Sequence, residues 1–147
     1  MKLVIQRVKK ASVKVTLTNK IVGEIENGLF VLLGIKRGDT FEKVNELYSK
    51  LVKLRIMSDE NNKMNLSIRD TKSSILIVSQ FTLYANTNGG NRPSFLEAED
   101  PKEAKQLYEY FIEKLKENKI NVETGSFGEY MEIETVLDGP VTITLEN

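Results

Sequence analysis

The chain has 147 residues, of which 21 are lysine or arginine and 21 are aspartate or glutamate, so that its formal net charge is zero. It contains no cysteine and no histidine, which excludes disulfides, thiolate nucleophiles, imidazole bases and metal sites built on either residue. An enzyme of this composition works with hydroxyls, carboxylates, amides, backbone groups or the substrate itself. We expect no cofactor and no metal, although an all-carboxylate magnesium or calcium site stays open.

The length predicts one domain that spans residues 1–147. No apolar run approaches the roughly 18 residues of a membrane span. The segment from Met1 to Arg7 lacks the apolar core of a signal peptide. We therefore expect a cytoplasmic protein with no membrane partner.

The first third of the chain reads as short strands. Leu3–Ile5 opens one strand, and the alternation from Val13 to Leu17 predicts a half-buried second strand. A further strand runs from Ile21 to Glu26, and Asn27-Gly28 then predicts a tight hairpin turn of type I′. Leu29–Ile35 follows as a strand buried on both faces.

A helix is predicted next, capped by Asp39 or Thr40. Asp59–Lys63 reads as a polar loop, and Ser74–Leu83 as a second buried strand. The helix carries an apolar stripe of Val44, Leu47, Leu51 and Leu54.

The last third begins with a loop rich in turn formers, residues 86–93. Asp100-Pro101 has the cap and first-turn proline of a second amphipathic helix, which Asn118 closes. Three more strands are predicted: near Val122, from Tyr130 to Leu137 and from Val141 to Leu145. The pattern predicts an α+β fold, a largely antiparallel sheet with two amphipathic helices. The uncovered sheet face must close on itself or on a partner chain.

Charge is unevenly distributed along the chain. Residues 1–20 contain six basic and no acidic residues, whereas the segment after Ile120 contains six acidic and no basic residues. We interpret these segments as two solvated strand faces that attract each other, in preference to a nucleic-acid patch.

Two segments are candidates for chemistry. Ser79, Gln80 and Thr82 bring hydrogen-bonding side chains to the end of an apolar strand, where they either satisfy the neighbouring backbone or face a cleft. Pro140 interrupts two strand-like runs, so the chain must turn or kink there. The residues alone leave both segments open to an ordinary structural role.

The order and spacing of several motifs resemble the D-aminoacyl-tRNA deacylases, the D-tyrosyl-tRNA deacylase family. The resemblance covers nearly the whole chain. It rests on residues 1–8 with Ala11-Ser12-Val13, Gly28–Gly34, Met64–Ser67, Ser79–Ala85, Arg92–Phe95, Glu123-Thr124-Gly125 with Phe127-Gly128, and Gly139–Thr142.

The resemblance implies a homodimer of small barrel-like α+β subunits that hydrolyses the ester between a D-amino acid and the 3′-terminal adenosine of tRNA. This activity proofreads chirality in translation, and glycyl-tRNA is an expected further substrate. The implied catalytic segment is Ser79, Gln80, Phe81 and Thr82. The implied chirality filter, inserted into the partner's pocket, is a cis Gly139-Pro140 bond with Thr142, held in place by Arg7.

Two positions depart from the family pattern. Leu137 stands where the family usually has asparagine, which we expect to loosen the hydrogen bonding around the proline turn. The loop before Arg92-Pro93 is usually more basic than the Asn86–Asn91 segment of this chain, which weakens its expected contribution to tRNA affinity.

The chemistry leaves alternatives. Thr82 is either a nucleophile or a group that orients the ester, and the absence of an adjacent base favours the second role. Backbone N–H groups around Gln80 and Phe81 are candidates for stabilising the oxyanion. A non-catalytic RNA-binding dimer module and a scaffold dimer without a small-molecule site are the other functional hypotheses.

Overall fold

The structure is a computed structural model that describes residues 1–147. Its elements, in chain order, are β1 (Lys2–Val15), β2 (Lys20–Ile25), β3 (Gly28–Gly34), α1 (Phe41–Lys53), β4 (Met57–Ser58), β5 (Met64–Leu66), α2 (Ile68–Thr71), β6 (Ser74–Ser79), a 3₁₀ helix (Phe81–Tyr84), α3 (Pro101–Glu117), β7 (Val122–Thr124) and β8 (Met131–Glu146).

Strand β1 organises the main sheet. It pairs antiparallel with β8 from Lys2 to Val15, while its other edge pairs first with β3 and then with β2. Strand β6 lies parallel to both of its neighbours, β3 and β7. The α+β prediction is confirmed, and the sheet is antiparallel except around β6.

The sheet curves until it is nearly a barrel. Strand β2 approaches β7 from the other end of the strand order, and a Cβ placed on Gly23 would lie 2.6 Å from the Thr124 carbonyl oxygen. Only glycine permits this approach of the two backbones. The barrel interior holds a small core: Val8, Ala11, Val13, Ile25, Phe30, Leu76 and Val78.

A larger core lies between the sheet and the helices. The predicted stripes supply it, with Val44, Leu47 and Leu51 from α1 and Leu107, Phe111 and Leu115 from α3. Thr40 caps α1 and Asp100 caps α3, as predicted. Asp39 instead accepts a buried ion pair from the Met1 ammonium group at 2.9 Å. None of the three helices combines the length and the apolar composition that crossing a membrane requires.

The predicted hairpin at Asn27-Gly28 is wrong. Strands β2 and β3 do not pair with each other, because both pair with successive segments of β1. Neither residue has a positive φ. Gly28 serves a different purpose, since a Cβ there would lie 2.0 Å from the Ser74 carbonyl oxygen of β6.

Three strand boundaries also differ from prediction. The two N-terminal strands are one continuous strand, β1, and Leu17 lies in an exposed turn beyond it. The strand predicted from Ser74 to Leu83 ends at Ser79, where the 3₁₀ helix takes over. The two runs that flank Pro140 are one strand, β8, with a bulge between them.

The charge hypothesis is confirmed by the pairing of β1 with β8. Lys2 and Lys14 lie directly opposite Glu146 and Glu132, and both form ion pairs with them across the ladder. The attraction between the basic first strand and the acidic last strand therefore matches their register.

Candidate active site

The first candidate segment lies at the carboxyl end of β6. The apolar run before Ser79 is completely buried, and the chain then turns into the short 3₁₀ helix Phe81–Tyr84. Gly34 permits this turn, because a Cβ on it would lie 2.9 Å from Leu83 Cβ. Tyr84 ends the turn, and burial raises the pKa of its phenol well above the ordinary range.

Strand β6 is fixed from the helical side as well. The buried Tyr108 hydroxyl of α3 donates a hydrogen bond of 2.9 Å to the Ile77 carbonyl oxygen. Burial also raises the pKa of Tyr108 well above its ordinary value, so the phenol stays a neutral donor. The end of β6 is therefore held on both sides before the site begins.

A cavity of about 930 Å³ opens at this point. All four predicted residues, Ser79 to Thr82, line it, as does the amino-terminal end of α3. Phe81 and Phe95 form an edge-to-face pair with ring centroids 5.0 Å apart, and each residue keeps more than a third of its surface exposed. The cavity therefore combines an apolar wall with a short polar segment, as small-molecule sites usually do.

The hydrogen bonds of the polar segment show which of its N–H groups are free to bind a substrate. The Gln80 N–H donates to the Leu33 carbonyl oxygen at 2.8 Å, so it is not available to a substrate. The Phe81 and Thr82 N–H groups begin the 3₁₀ helix, where no intrahelical acceptor exists, and they donate no other hydrogen bond. The side-chain amide of Gln80 donates to Thr82 Oγ1, which leaves the threonine hydrogen free to point elsewhere.

No base is positioned to activate Thr82. Glu99 and Asp100 line the cavity, but their carboxylates accept backbone hydrogen bonds from Gly38, Asp100 and Lys102. Glu129 also lines it, but the only side-chain hydrogen bond of Thr82 is the one from Gln80. No cluster of three or more carboxylates forms that would hold a metal ion.

The second candidate segment is a bulge in β8. Gln6 of β1 pairs with Thr142 and Val8 pairs with Leu137, so Arg7 alone faces the four residues 138–141. The Gly139-Pro140 peptide bond is cis, and both residues are exposed. Gly139 has a φ of +124°, which disfavours any residue with a side chain.

Arg7 lies under this bulge with only 9% of its surface exposed. Its Nη1 donates to the Ile56 carbonyl oxygen at 2.8 Å and to Ser58 Oγ at 3.2 Å. Its Nε lies 2.8 Å from Asp138 Oδ2, an ion pair without hydrogen-bond alignment. The guanidinium thus joins the bulge to the end of β4.

The two segments do not meet within one chain. Ser79, Gln80, Phe81 and Thr82 share the cavity, whereas Arg7, Gly139, Pro140 and Thr142 line no part of it. Thr142 lies on β8, where Gln6 donates a hydrogen bond to its hydroxyl at 3.4 Å. The bulge projects from β8, which has β1 on one edge and no strand on the other.

Sequence reasoning missed several lining residues. Three separate segments supply them, and only the tertiary fold brings these together: Arg37, Phe95, and Phe127 with Tyr130 and Ile133. Two of them had a signal, because Phe95 and Phe127 both lie in motifs of the resemblance.

The two positions that depart from the family pattern are both at the surface or in a closed loop. Leu137 is 42% exposed, and its neighbour Asp138 supplies the contact to Arg7. The loop at residues 86–94 is closed by two backbone hydrogen bonds between Asn86 and Ser94, both of 2.8 Å.

Comparison with known proteins gives concordant matches. A family model for D-Tyr-tRNA(Tyr) deacylase matches residues 4–146. A D-aminoacyl-tRNA deacylase of Aquifex aeolicus is 52% identical over 147 residues, covering 100% of this chain and 98% of that protein.

Two solved structures share the fold. One, titled c-Myc DNA unwinding element binding protein, has a TM-score of 0.92 and 38% identity over 100% of this chain and 99% of its own. The other, titled a probable eukaryotic D-amino acid tRNA deacylase, has a TM-score of 0.85 over 98% and 97% of the two chains. At 17% identity it supports the fold alone.

Proposed function

Because the chain belongs to the D-Tyr-tRNA(Tyr) deacylase family, we infer that it hydrolyses the ester of D-aminoacyl-tRNA, releasing the D-amino acid and the tRNA. One observation carries the chemistry. Two backbone N–H groups, those of Phe81 and Thr82, stand without acceptors in a cavity large enough for an aminoacyl-adenosine.

These donors suit the transition state of ester hydrolysis. Water adds to the carbonyl carbon, the carbonyl oxygen becomes an oxyanion, and the ribose oxygen then leaves with a proton. Preorganised N–H groups stabilise the oxyanion as it forms. The ester is already activated, so positioning and this stabilisation supply most of the acceleration. The neighbouring ribose hydroxyl of the substrate assists the attacking water.

Thr82 has a positioning role in this proposal. Its oxygen accepts a hydrogen bond from Gln80, the chain has no histidine, and none of the carboxylates that line the cavity is hydrogen-bonded to the hydroxyl. A hydroxyl without a base is a poor nucleophile near neutral pH. Thr82 therefore donates its hydrogen to the ester, and Ser79 lines the space beside it.

The complete site requires a second copy of the chain. The cavity of one subunit is separate from its own Gly139-Pro140 bulge, and β8 has an unpaired edge with exposed Val136 and Leu137. A twofold dimer joined near this edge places each bulge at the partner's cavity. In that arrangement Gly139 and Pro140 form the chirality filter, while Arg7 and Thr142 hold it.

The remaining expectations extend the same proposal. Residues 1–147 act as one domain, the protein works in the cytoplasm without a cofactor, and its partner is the 3′ end of aminoacyl-tRNA. Glycyl-tRNA is a further substrate, because glycine carries no side chain for the filter to reject.

A binding module without catalysis is the second candidate function. It is favoured by one observation, the similarity to a protein whose title describes DNA binding. We prefer the hydrolase, because a relative that is 52% identical over 147 residues is a D-aminoacyl-tRNA deacylase.

Incubation of the purified protein with D-tyrosyl-tRNA and L-tyrosyl-tRNA tests the function. We expect release of D-tyrosine at catalytic protein concentration and retention of the L-ester. A protein that binds both tRNAs and releases neither amino acid would support the binding module instead.

A further inference from the structure

A second cleft, of about 500 Å³, opens at the carboxyl ends of α2 and α3. Its lining includes Arg69, Lys72 and Lys119 together with polar side chains, and no acidic residue. Lys72 and Lys119 form no ion pair, in contrast to the lysines of β1 opposite β8. We call this feature the basic cleft.

The backbone at both lysines is unusual. Lys72 has a φ of +53° and Lys119 a φ of +59°, a left-handed conformation that glycine usually supplies after a helix. A side chain is disfavoured there. Compensation of the helix dipole does not require Lys119, because Lys114 and Lys116 already occupy the last turn of α3.

The cleft also presents an ordered arginine. Arg69 Nη2 donates to the Tyr48 hydroxyl at 2.8 Å and to Asn118 Oδ1 at 3.2 Å, which fixes the guanidinium and leaves its other donors free. Acids close by in sequence are engaged elsewhere, since Asp70 bonds to Ser67 and Glu117 pairs with Lys114. Fixed cationic donors without a carboxylate suit phosphate oxygens.

A second group of basic side chains lies at the end of the helix that packs against Arg69. Lys50, Lys53 and Arg55 line a second depression at the carboxyl end of α1, the helix whose Tyr48 holds Arg69. The two depressions together hold more basic side chains than one small anion needs. This extent favours a polyanion over free phosphate.

The cleft and the active-site cavity lie at opposite ends of the same two elements. Helix α3 starts at the cavity with Pro101 and ends at the cleft, a length of about 26 Å at 1.5 Å per residue. Strand β6 runs the other way, from the cleft to Ser79, over about 20 Å. A single RNA molecule with its 3′ end in the cavity can span that distance.

We propose that the basic cleft binds the sugar-phosphate backbone of the substrate tRNA, upstream of the aminoacylated 3′ end. The proposal rests on the proposed function, which makes tRNA the substrate. Backbone contacts of this kind position the RNA without reading its sequence. They also make affinity depend on salt, because each bound phosphate releases counterions.

The test compares two substrates that carry the same ester, D-tyrosyl-tRNA and D-tyrosyl-adenosine. In the Lys72→Gln/Lys119→Gln variant we expect KM for the tRNA ester to rise about tenfold at low salt, with kcat unchanged. The slope of log affinity against log salt should fall by about 2. Hydrolysis of D-tyrosyl-adenosine, which has no phosphate, should not change.

Matched variants separate charge from structure. Lys72→Gly/Lys119→Gly removes the same charges while favouring the left-handed backbone, so it should be at least as stable as the unmodified protein and equally defective with tRNA. Lys72→Arg/Lys119→Arg should keep tRNA binding. Lys9→Gln/Lys20→Gln removes two unpaired lysines from β1 and β2 and should leave the KM for tRNA near its original value.

Two results would overturn the proposal: an unchanged KM and salt slope in both cleft variants, or an equal loss with D-tyrosyl-adenosine. Fluorescence anisotropy with uncharged tRNA measures the affinity of the protein for tRNA independently of hydrolysis. If the protein hydrolyses neither ester but its cleft variants bind tRNA more weakly, the proposed function is refuted, while the proposal that the basic cleft binds tRNA stands.

Discussion

The Arg7 side chain is buried beneath Asp138, with Nε 2.8 Å from the carboxylate oxygen Oδ2. The same guanidinium donates to the Ile56 carbonyl oxygen. One residue of β1 thereby supports the bulge that Gly139 and Pro140 form in β8. Gly139 and Pro140 are the exposed part of the bulge, and the buried guanidinium of Arg7 supports them from below.

Replacement of Arg7 should destabilise the protein. In Arg7→Ala the buried Ile56 carbonyl loses its donor and Asp138 loses its partner, and we expect a loss of about 2–3 kcal/mol in the free energy of unfolding. Urea denaturation measures this loss. Lys10→Ala removes an exposed ion pair from the same strand and is the control, with little expected effect. Equal stability of Arg7→Ala and the unmodified protein would contradict the supporting role.

Local patterns predicted the helices well. Thr40 and Asp100 cap α1 and α3, and the apolar stripes face the core, because caps and helical spacing are set by neighbouring residues. Asn27-Gly28 misled the prediction for the opposite reason. Strands β2 and β3 both pair with β1, because β1 is long enough to accommodate them in succession. A turn signal in the sequence does not contain that information.

The candidate site was predictable only in part. The motif from Ser79 to Thr82 lies in a cavity, and the resemblance marked it. The free donors of Phe81 and Thr82 were not predictable in detail, because they depend on a 3₁₀ turn that replaces the end of a predicted strand. Arg37 and Tyr130 reach the cavity through tertiary packing, and no local pattern marks them.

Mixing two inactive variants should restore activity if the sites are shared between subunits. Ser79→Phe fills the cavity, and Gly139→Phe disrupts the bulge, where φ is +124° and a Cβ would lie 2.8 Å from Val141 Cγ2. A mixed dimer contains one intact cavity facing one intact bulge. After denaturation and refolding together, random assortment should recover about a quarter of the original activity.

The control for this experiment is each variant refolded alone, which should stay inactive. Sedimentation gives the oligomeric state of every sample. No recovery in samples shown to contain mixed dimers, or full activity in a monomer, would rule out the shared site.

Thr82→Ala should retain measurable deacylation. A positioning hydroxyl contributes about tenfold to a hundredfold to kcat, whereas loss of a nucleophile costs about a millionfold in a serine hydrolase. Single-turnover kinetics with D-tyrosyl-tRNA measure the loss. Mass spectrometry of the Thr82→Ser variant after substrate addition is the decisive control, and an acyl group found on that serine would make residue 82 a nucleophile.

Phe95→Ala should weaken binding of the terminal adenosine. The Phe95 ring stands edge-to-face with Phe81 in the cavity wall, with part of its surface free for a base. A base stacked on an aromatic ring gains about 1–3 kcal/mol, so KM for D-tyrosyl-adenosine should rise about fivefold or more while kcat changes little. Phe41→Ala removes a similarly exposed ring that pairs with Tyr110 outside the cavity, and its KM should not move.

Rejection of L-amino acids should depend on the backbone of the bulge. An enzyme that accepts different D-amino acids has no dedicated contact for each side chain, so it must read the arrangement around the α-carbon. In the proposed dimer, a rigid backbone wall from the partner's bulge would leave no space for an L side chain. Such a clash costs several kcal/mol, whereas an added apolar contact discriminates by only about 1–3 kcal/mol. We expect D-tyrosyl-tRNA and glycyl-tRNA to be hydrolysed and L-tyrosyl-tRNA to react at least about a hundredfold more slowly.

Arg7→Ala should lower the ratio of kcat/KM for the D ester to kcat/KM for the L ester, because the backbone wall loses its support. Lys10→Ala should leave this ratio unchanged. Rapid hydrolysis of L-tyrosyl-tRNA by the unmodified protein would exclude this filter, and an unchanged ratio in Arg7→Ala would remove Arg7 from it.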